Sequence, residues 1–120
     1  MEGGSDAYVQ RQVNSDSRIF LLEVHFYSNG CFISISEGEP RLGAISVAVS
    51  SASNTSAVKV IPSRHDPLFA NTVAEKVASM INGICAVSFH ANSQMRLEDM
   101  KAIMGEVMNI VGERKYKDGR

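Results

Sequence analysis

The chain has 120 residues, 44% of them hydrophobic, with twelve Lys and Arg against thirteen Asp and Glu and a formal net charge of −1. That length suits one domain with a core of its own, and the near-neutral charge excludes a broad basic face for nucleic acid or for anionic lipid. No run reaches the ~18 apolar residues of a membrane helix, and the polar N-terminus lacks the apolar stretch of a signal peptide.

Residues 1–17 (MEGGSDAYVQRQVNSDS) are rich in Gly, Ser, Asp, Asn and Gln and lack periodicity. They read as a flexible N-terminal arm before a single α+β domain over 18–120. Residues 19–28 alternate as a strand, with Phe20, Leu22, Val24 and Phe26 on one face and Ile19, Leu21, Glu23, His25 and Tyr27 on the other. Asn29-Gly30 predicts a type I′ hairpin turn. Residues 31–36 return with Cys31, Ile33 and Ile35 on one face. A third strand over 42–51 carries Ile45, Val47 and Val49 on one side and Ser46, Ala48 and Ser50 on the other. A fourth covers 57–61 and ends at Pro62.

Asp66-Pro67 predicts a helix start, because Asp accepts from free backbone N–H groups and Pro suits the first helical position. Phe69, Val73, Val77, Met80 and Ile81 then make one apolar stripe, with Gly83 as the left-handed residue after it. Residues 84–90 form a fifth strand. Asn92 or Ser93 is expected to cap a second helix whose apolar face holds Leu97, Met100, Ile103, Met104, Val107, Ile110 and Val111. Its basic end suits the negative pole of the helix dipole. The order β-β-β-β-α-β-α predicts an α/β protein of the α+β kind: an antiparallel meander of five to six strands with two helices on one face.

Two helices cover one side of a sheet, and the strands hold few charges, mainly Glu23 and Lys59. The side away from the helices is therefore expected to meet another protein or a second copy of this chain. The residues expected at that interface are Ile19, Leu21, Ser34, Ser46 and Ala48.

No catalytic, cofactor or metal site is read. Cys31 and Cys85 stand in apolar stretches outside any CxxC or Cys-His spacing, and read as reduced core thiols of a cytosolic or nuclear protein. His25, His65 and His90 lack the context of a nucleophile or zinc motif. His25 is expected opposite Cys31 across the hairpin. Gly38, Gly43 and Gly83 do not make a phosphate-binding loop. Of the methionines read in the second helix, Met95, Met100, Met104 and Met108, Met100 and Met104 fall in the core stripe and Met108 lies towards its edge.

The sequence VHF (Val24 to Phe26), the return CFISISEGEPRLGAISVAV with its Pro40-Arg41-Leu42 lead-in, the helix segment TVAEKVA, the strand segment VSF and the final amphipathic helix together resemble the small proteasome assembly chaperones, most closely the chaperone 4 family. The resemblance spans about residues 18–115 and lies in order, spacing and size. It implies a heterodimer with the paralogous chaperone 3 that binds an alpha-type subunit of the proteasome and promotes alpha-ring assembly of the 20S core particle. It implies no catalytic residue and no cofactor. Two other readings stay open: a profilin-like or roadblock-like interaction scaffold, distinguished by strand order, and a small thiol- or histidine-dependent enzyme, distinguished by thiol reactivity at Cys31 and Cys85.

Overall fold

Alternating hydrophobic residues set the middle of the sheet. The computed structural model describes residues 7–52, 54–62 and 68–117. The elements are β1 (Tyr8–Ser15), β2 (Arg18–Tyr27), β3 (Gly30–Glu37), β4 (Ala44–Ser51), β5 (Asn54–Ile61), α1 (Phe69–Ile81), β6 (Ile84–His90) and α2 (Leu97–Lys117). One six-stranded sheet runs in the order β1-β2-β3-β6-β4-β5. Its inner face presents Phe20, Leu22 and Val24 of β2, Ile33 and Ile35 of β3, and Cys85 and Val87 of β6, all fully enclosed or nearly so. Val73 and Val77 of α1 and Ile103, Val107 and Val111 of α2 close over them in one core. The α+β class, the element order from residue 18 onward and the helix layer on one face are as the sequence predicts.

The pairing departs from a simple meander. Strand β6 enters between β3 and β4, parallel to β3 and antiparallel to β4. The sheet therefore joins two antiparallel blocks, β1-β2-β3 and β4-β5, through a strand that comes later in the chain. A strand reached through a helix can be inserted beside a parallel neighbour, and local alternation carries no information about which neighbour that is.

Residues 8–15, expected within a loose arm, form edge strand β1, paired in register with β2 from Tyr8↔His25 to Ser15↔Arg18. Only Val13 and Ser15 of this strand are fully buried, so its apolar signal is weak. What anchors it is an ion-pair network at its end. Ser15 Oγ donates to Asp99 Oδ1 at 2.6 Å. Arg18 donates to Asp99 Oδ2 at 3.0 Å and to both carboxylate oxygens of Glu37 at 2.7 and 3.0 Å. It also binds the Ser93 and Gln94 carbonyls ahead of α2. Asp99 is fully enclosed, and Arg96 closes on it with Nη2 at 2.8 Å and Nε at 3.1 Å. Hydrogen bonds from Arg96 lead the effects that hold the Asp99 carboxyl well below the usual carboxylate range, and Arg18 does the same for Glu37.

Several local signals resolve differently from their first reading. The β2–β3 connection is Ser28-Asn29, with Tyr27 opposite Gly30, and neither Asn29 nor Gly30 has positive φ, so the turn is not type I′. Gly30 is needed for another reason: a Cβ there would run into the Ile84 carbonyl oxygen of β6. The left-handed residue after α1 is Asn82 (φ 53°) rather than Gly83. A Cβ at Gly83 would sit 2.6 Å from the Asn29 carbonyl oxygen, whose other neighbour is the Ile84 N–H at 3.0 Å. The expected cap at Asp66-Pro67 lies outside the described residues. For α2, neither Asn92 nor Ser93 caps the helix. Asp99 reaches back from the first turn to accept the Arg96 N–H at 3.0 Å, a side chain satisfying a free terminal donor. Leu97, expected on the apolar stripe, is exposed, whereas Met95 is buried.

Candidate functional site

Among the described residues no helix covers the outer face of the sheet, and its chemistry differs from one block to the other. On β4, β5 and β6 the register sets Ile45 beside Ile61, Val47 beside Val58 and Ala86, and Val49 beside Ile84. A register shift between Ile45 and Ser46 leaves Val60 as the extra residue of β5, itself exposed. Val58 is 64% exposed, Val49 48%, Ile61 47% and Ile84 40%. These residues make a contiguous aliphatic surface without a charge among them. An exposed apolar cluster of this extent marks an interaction site on a folded domain.

On β1, β2 and β3 the same face is mixed. Ile19 is half exposed and Leu21 partly so. The Tyr8 hydroxyl donates to Glu23 at 2.8 Å, which raises the Tyr8 pKa above its ordinary value. The Tyr8 ring lies 4.6 Å from that of His25. The loop between β3 and β4 crosses this face. Ser36 Oγ accepts the Arg41 N–H and donates to the Arg41 carbonyl, both at 3.0 Å. Ser88 Oγ accepts the Gly43 N–H at 3.0 Å. Two outward serines are thereby buried, Ser36 and Ser88, and a depression of about 430 Å³ is left between Arg41, Leu42, Phe32 and His25.

Of the five residues expected at a partner interface, Ile19, Leu21 and Ser34 stand on this outer face. Ser46 and Ala48 do not. Their register partners Val87 and Cys85 point into the core, and they are 2% and 0% exposed under the helix layer. The reason is steric. Helix α1 lies against β4 with a small-residue stripe of Ala70, Ala74 and Ala78 among its buried residues. The strand meets it with Ala44, Ser46, Ala48 and Ser50, all buried. Small faces let the helix and strand approach closely, and the large β-branched residues Ile45, Val47 and Val49 are left facing outward. The signal that could have found them was their size: three bulky aliphatic residues on the face opposite a small one.

The residues considered for chemistry are spread out. Cys31 and Cys85 are buried register partners on β3 and β6, with sulfurs 3.8 Å apart. The hydrogen bond with Cys31, together with burial, pushes the Cys85 thiol far above its ordinary pKa, which opposes a nucleophilic thiolate there. His25 stands opposite Phe32 rather than Cys31. The His90 ring lies 3.3 Å from Asn92 Oδ1. His65 lies outside the described residues. Among the described residues, no three His, Cys, Asp or Glu side chains are gathered as a metal site would need, and no helix is long and apolar enough to cross a membrane.

The sequence matches no family model and no curated protein sequence. Solved structures do match. One is a chain of the crystal structure described as a novel chaperone complex for yeast 20S proteasome assembly, with a TM-score of 0.57 and 14% identity over 88% of this chain and 89% of that one. The two chains share a fold. The likeness covers most of both chains.

Proposed function

We propose that this chain is a subunit of a proteasome assembly chaperone. It pairs with a paralogous chaperone of the chaperone 3 kind by setting the open faces of the two sheets together, with the helices outside. The pair then binds an alpha-type subunit and promotes alpha-ring assembly of the 20S core particle, the part played by the chaperone 4 family. The observation that carries this reading is the uncharged aliphatic surface of Ile45, Val47, Val49, Val58, Ile61 and Ile84. Two twisted sheets packed face to face bury such surfaces in a common core about 10 Å thick. The fold shared with a chain of a yeast proteasome assembly chaperone complex supports the same direction.

The test is affinity purification of the tagged chain with mass spectrometry, beside the double variant Leu21→Glu with Val47→Glu. The wild-type chain is expected to recover a chaperone of similar size and alpha-type subunits. The variant is expected to lose the chaperone partner while keeping its circular dichroism spectrum and thermal transition. Undiminished recovery of that partner by a folded variant would falsify the pairing surface. Absence of proteasome subunits from the wild-type eluate would overturn the function.

A further inference from the structure

Strands β3 and β6 are the middle pair of the sheet, and β6 links the block β1-β2-β3 to the block β4-β5. Cys31 and Cys85 are register partners across that seam. Their sulfurs lie 3.8 Å apart, and the sequence holds no other cysteine. Neighbouring strands run about 4.8 Å apart, inside the range of about 4.4–6.8 Å that the Cα atoms of a disulfide span. Side-chain torsions then have to bring the sulfurs only from 3.8 Å to the bonded distance of about 2.05 Å. The two thiols differ. The hydrogen bond with Cys85 lowers the Cys31 pKa against the opposing effect of burial, so Cys31 is the better thiolate. Cys31 is also 4% exposed where Cys85 is fully enclosed. Phe26, its register partner on β2, and Gly30, its chain neighbour, line a cavity of about 800 Å³ at that end of the fold, which brings solvent close to the pair.

We infer that Cys31 and Cys85 form a redox modification site, closed by a small hydroperoxide into a disulfide that staples β3 to β6. The Cys31 sulfur attacks one oxygen of hydrogen peroxide. The O–O bond breaks, the departing hydroxide leaves as water with the Cys31 proton, and Cys31 becomes a sulfenic acid. The Cys85 sulfur then attacks the Cys31 sulfur. The S–O bond breaks, the S–S bond forms, and hydroxide leaves with the Cys85 proton as a second water. Two thiols and one peroxide give one disulfide and two waters; each sulfur gives up one electron and the peroxide takes both. The bond joins residues 54 positions apart, so it removes many conformations from the unfolded chain. The oxidised chain is the more firmly closed one, and a dithiol reductant reverses it.

The experiment treats the folded full chain with hydrogen peroxide, blocks remaining thiols with N-ethylmaleimide and maps tryptic peptides without reduction. A linked pair of peptides 19–41 and 77–96, which carry Cys31 and Cys85, is expected from a chain that stays monomeric. The thermal midpoint of the oxidised chain should stand about 5 °C above that of the same sample after dithiothreitol, a comparison that methionine oxidation does not affect. Cys85→Ala should give no linked pair and carry Cys31 on to the sulfinic acid. If that variant does not fold, the wild-type map and midpoint decide alone. The proposal is overturned by a folded chain whose two thiols stay free or overoxidise without linking, by linkage between two copies, by linkage that forms only in urea, or by an oxidised midpoint no higher than the reduced one.

Discussion

The two faces of strand β4 show how one strand serves two neighbours. Its inner face, Ala44, Ser46, Ala48 and Ser50, is buried under α1. Its outer face, Ile45, Val47 and Val49, lies between the edge strand β5 and strand β6, and among the described residues no helix covers it. Ordinary half-buried strands place bulk inward and polar residues outward. Here small residues let a helix approach closely, and the bulk faces away from the core that the chain makes for itself. The inner face is filled within this chain. The outer face has the composition of a core with its other half missing.

That contrast can be broken by substitution. The largest effect is expected from Ala48→Glu, which places a charge in the closed inner layer. It should lower the unfolding free energy by about 4 kcal/mol or abolish folding, read by urea denaturation. If Ala48→Glu instead folds normally, the inner face is not the closed one. Next is Asp99→Asn at the clamp between β1, β3 and α2, which should lower stability by about 2 kcal/mol, since Arg18 keeps Glu37 and two carbonyls as partners. The same clamp sets an acid limb. Asp99 and Glu37 have folded pKa values below their unfolded ones, so their contribution is complete above the unfolded carboxylate range and is lost as pH falls below about 5. Asp99→Asn should flatten that limb in urea midpoints measured from neutral to acid pH.

Smaller in stability is Val47→Glu on the outer face, which should shift unfolding by no more than about 0.5 kcal/mol, yet remove the partner chaperone from a pull-down. A loss of stability as great as that of Ala48→Glu would mean that the outer face is closed within this chain. The mildest test reads the core without a substitution. Iodoacetamide at neutral pH should label Cys31 and Cys85 at least about tenfold more slowly than an exposed thiol, because labelling waits on local opening. Rapid labelling would favour the thiol-enzyme reading instead.

Much of the architecture was legible in the chain. Phe20, Leu22, Val24 and Phe26 declare their common face by period two, and Val73 and Val77, with Ile103, Val107 and Val111, declare theirs by helical spacing. Strand β1 was not legible, because its hold on the sheet comes from backbone pairing and from Ser15 meeting Asp99 across 84 positions of sequence. The outer-face residues were half legible. Ile19, Leu21 and Ser34 follow from the parity of β2 and β3, whereas Ser46 and Ala48 were assigned to the wrong side because alternation gives two faces without saying which one a helix covers.

The sequence by itself determined the α+β class, the order of elements from residue 18 onward, the apolar stripes of both helices and the shortage of charge in the strands. These are local properties, set by side-chain periodicity and turn chemistry. Only the tertiary structure decided that β6 enters between β3 and β4, that Gly30 and Gly83 are required by close backbone approach, and that Ile45, Val47 and Val49 face outward. Each of those depends on which distant segment lies against which. Such choices are made by the fit of whole surfaces in the folded chain, and no window of neighbouring residues contains them.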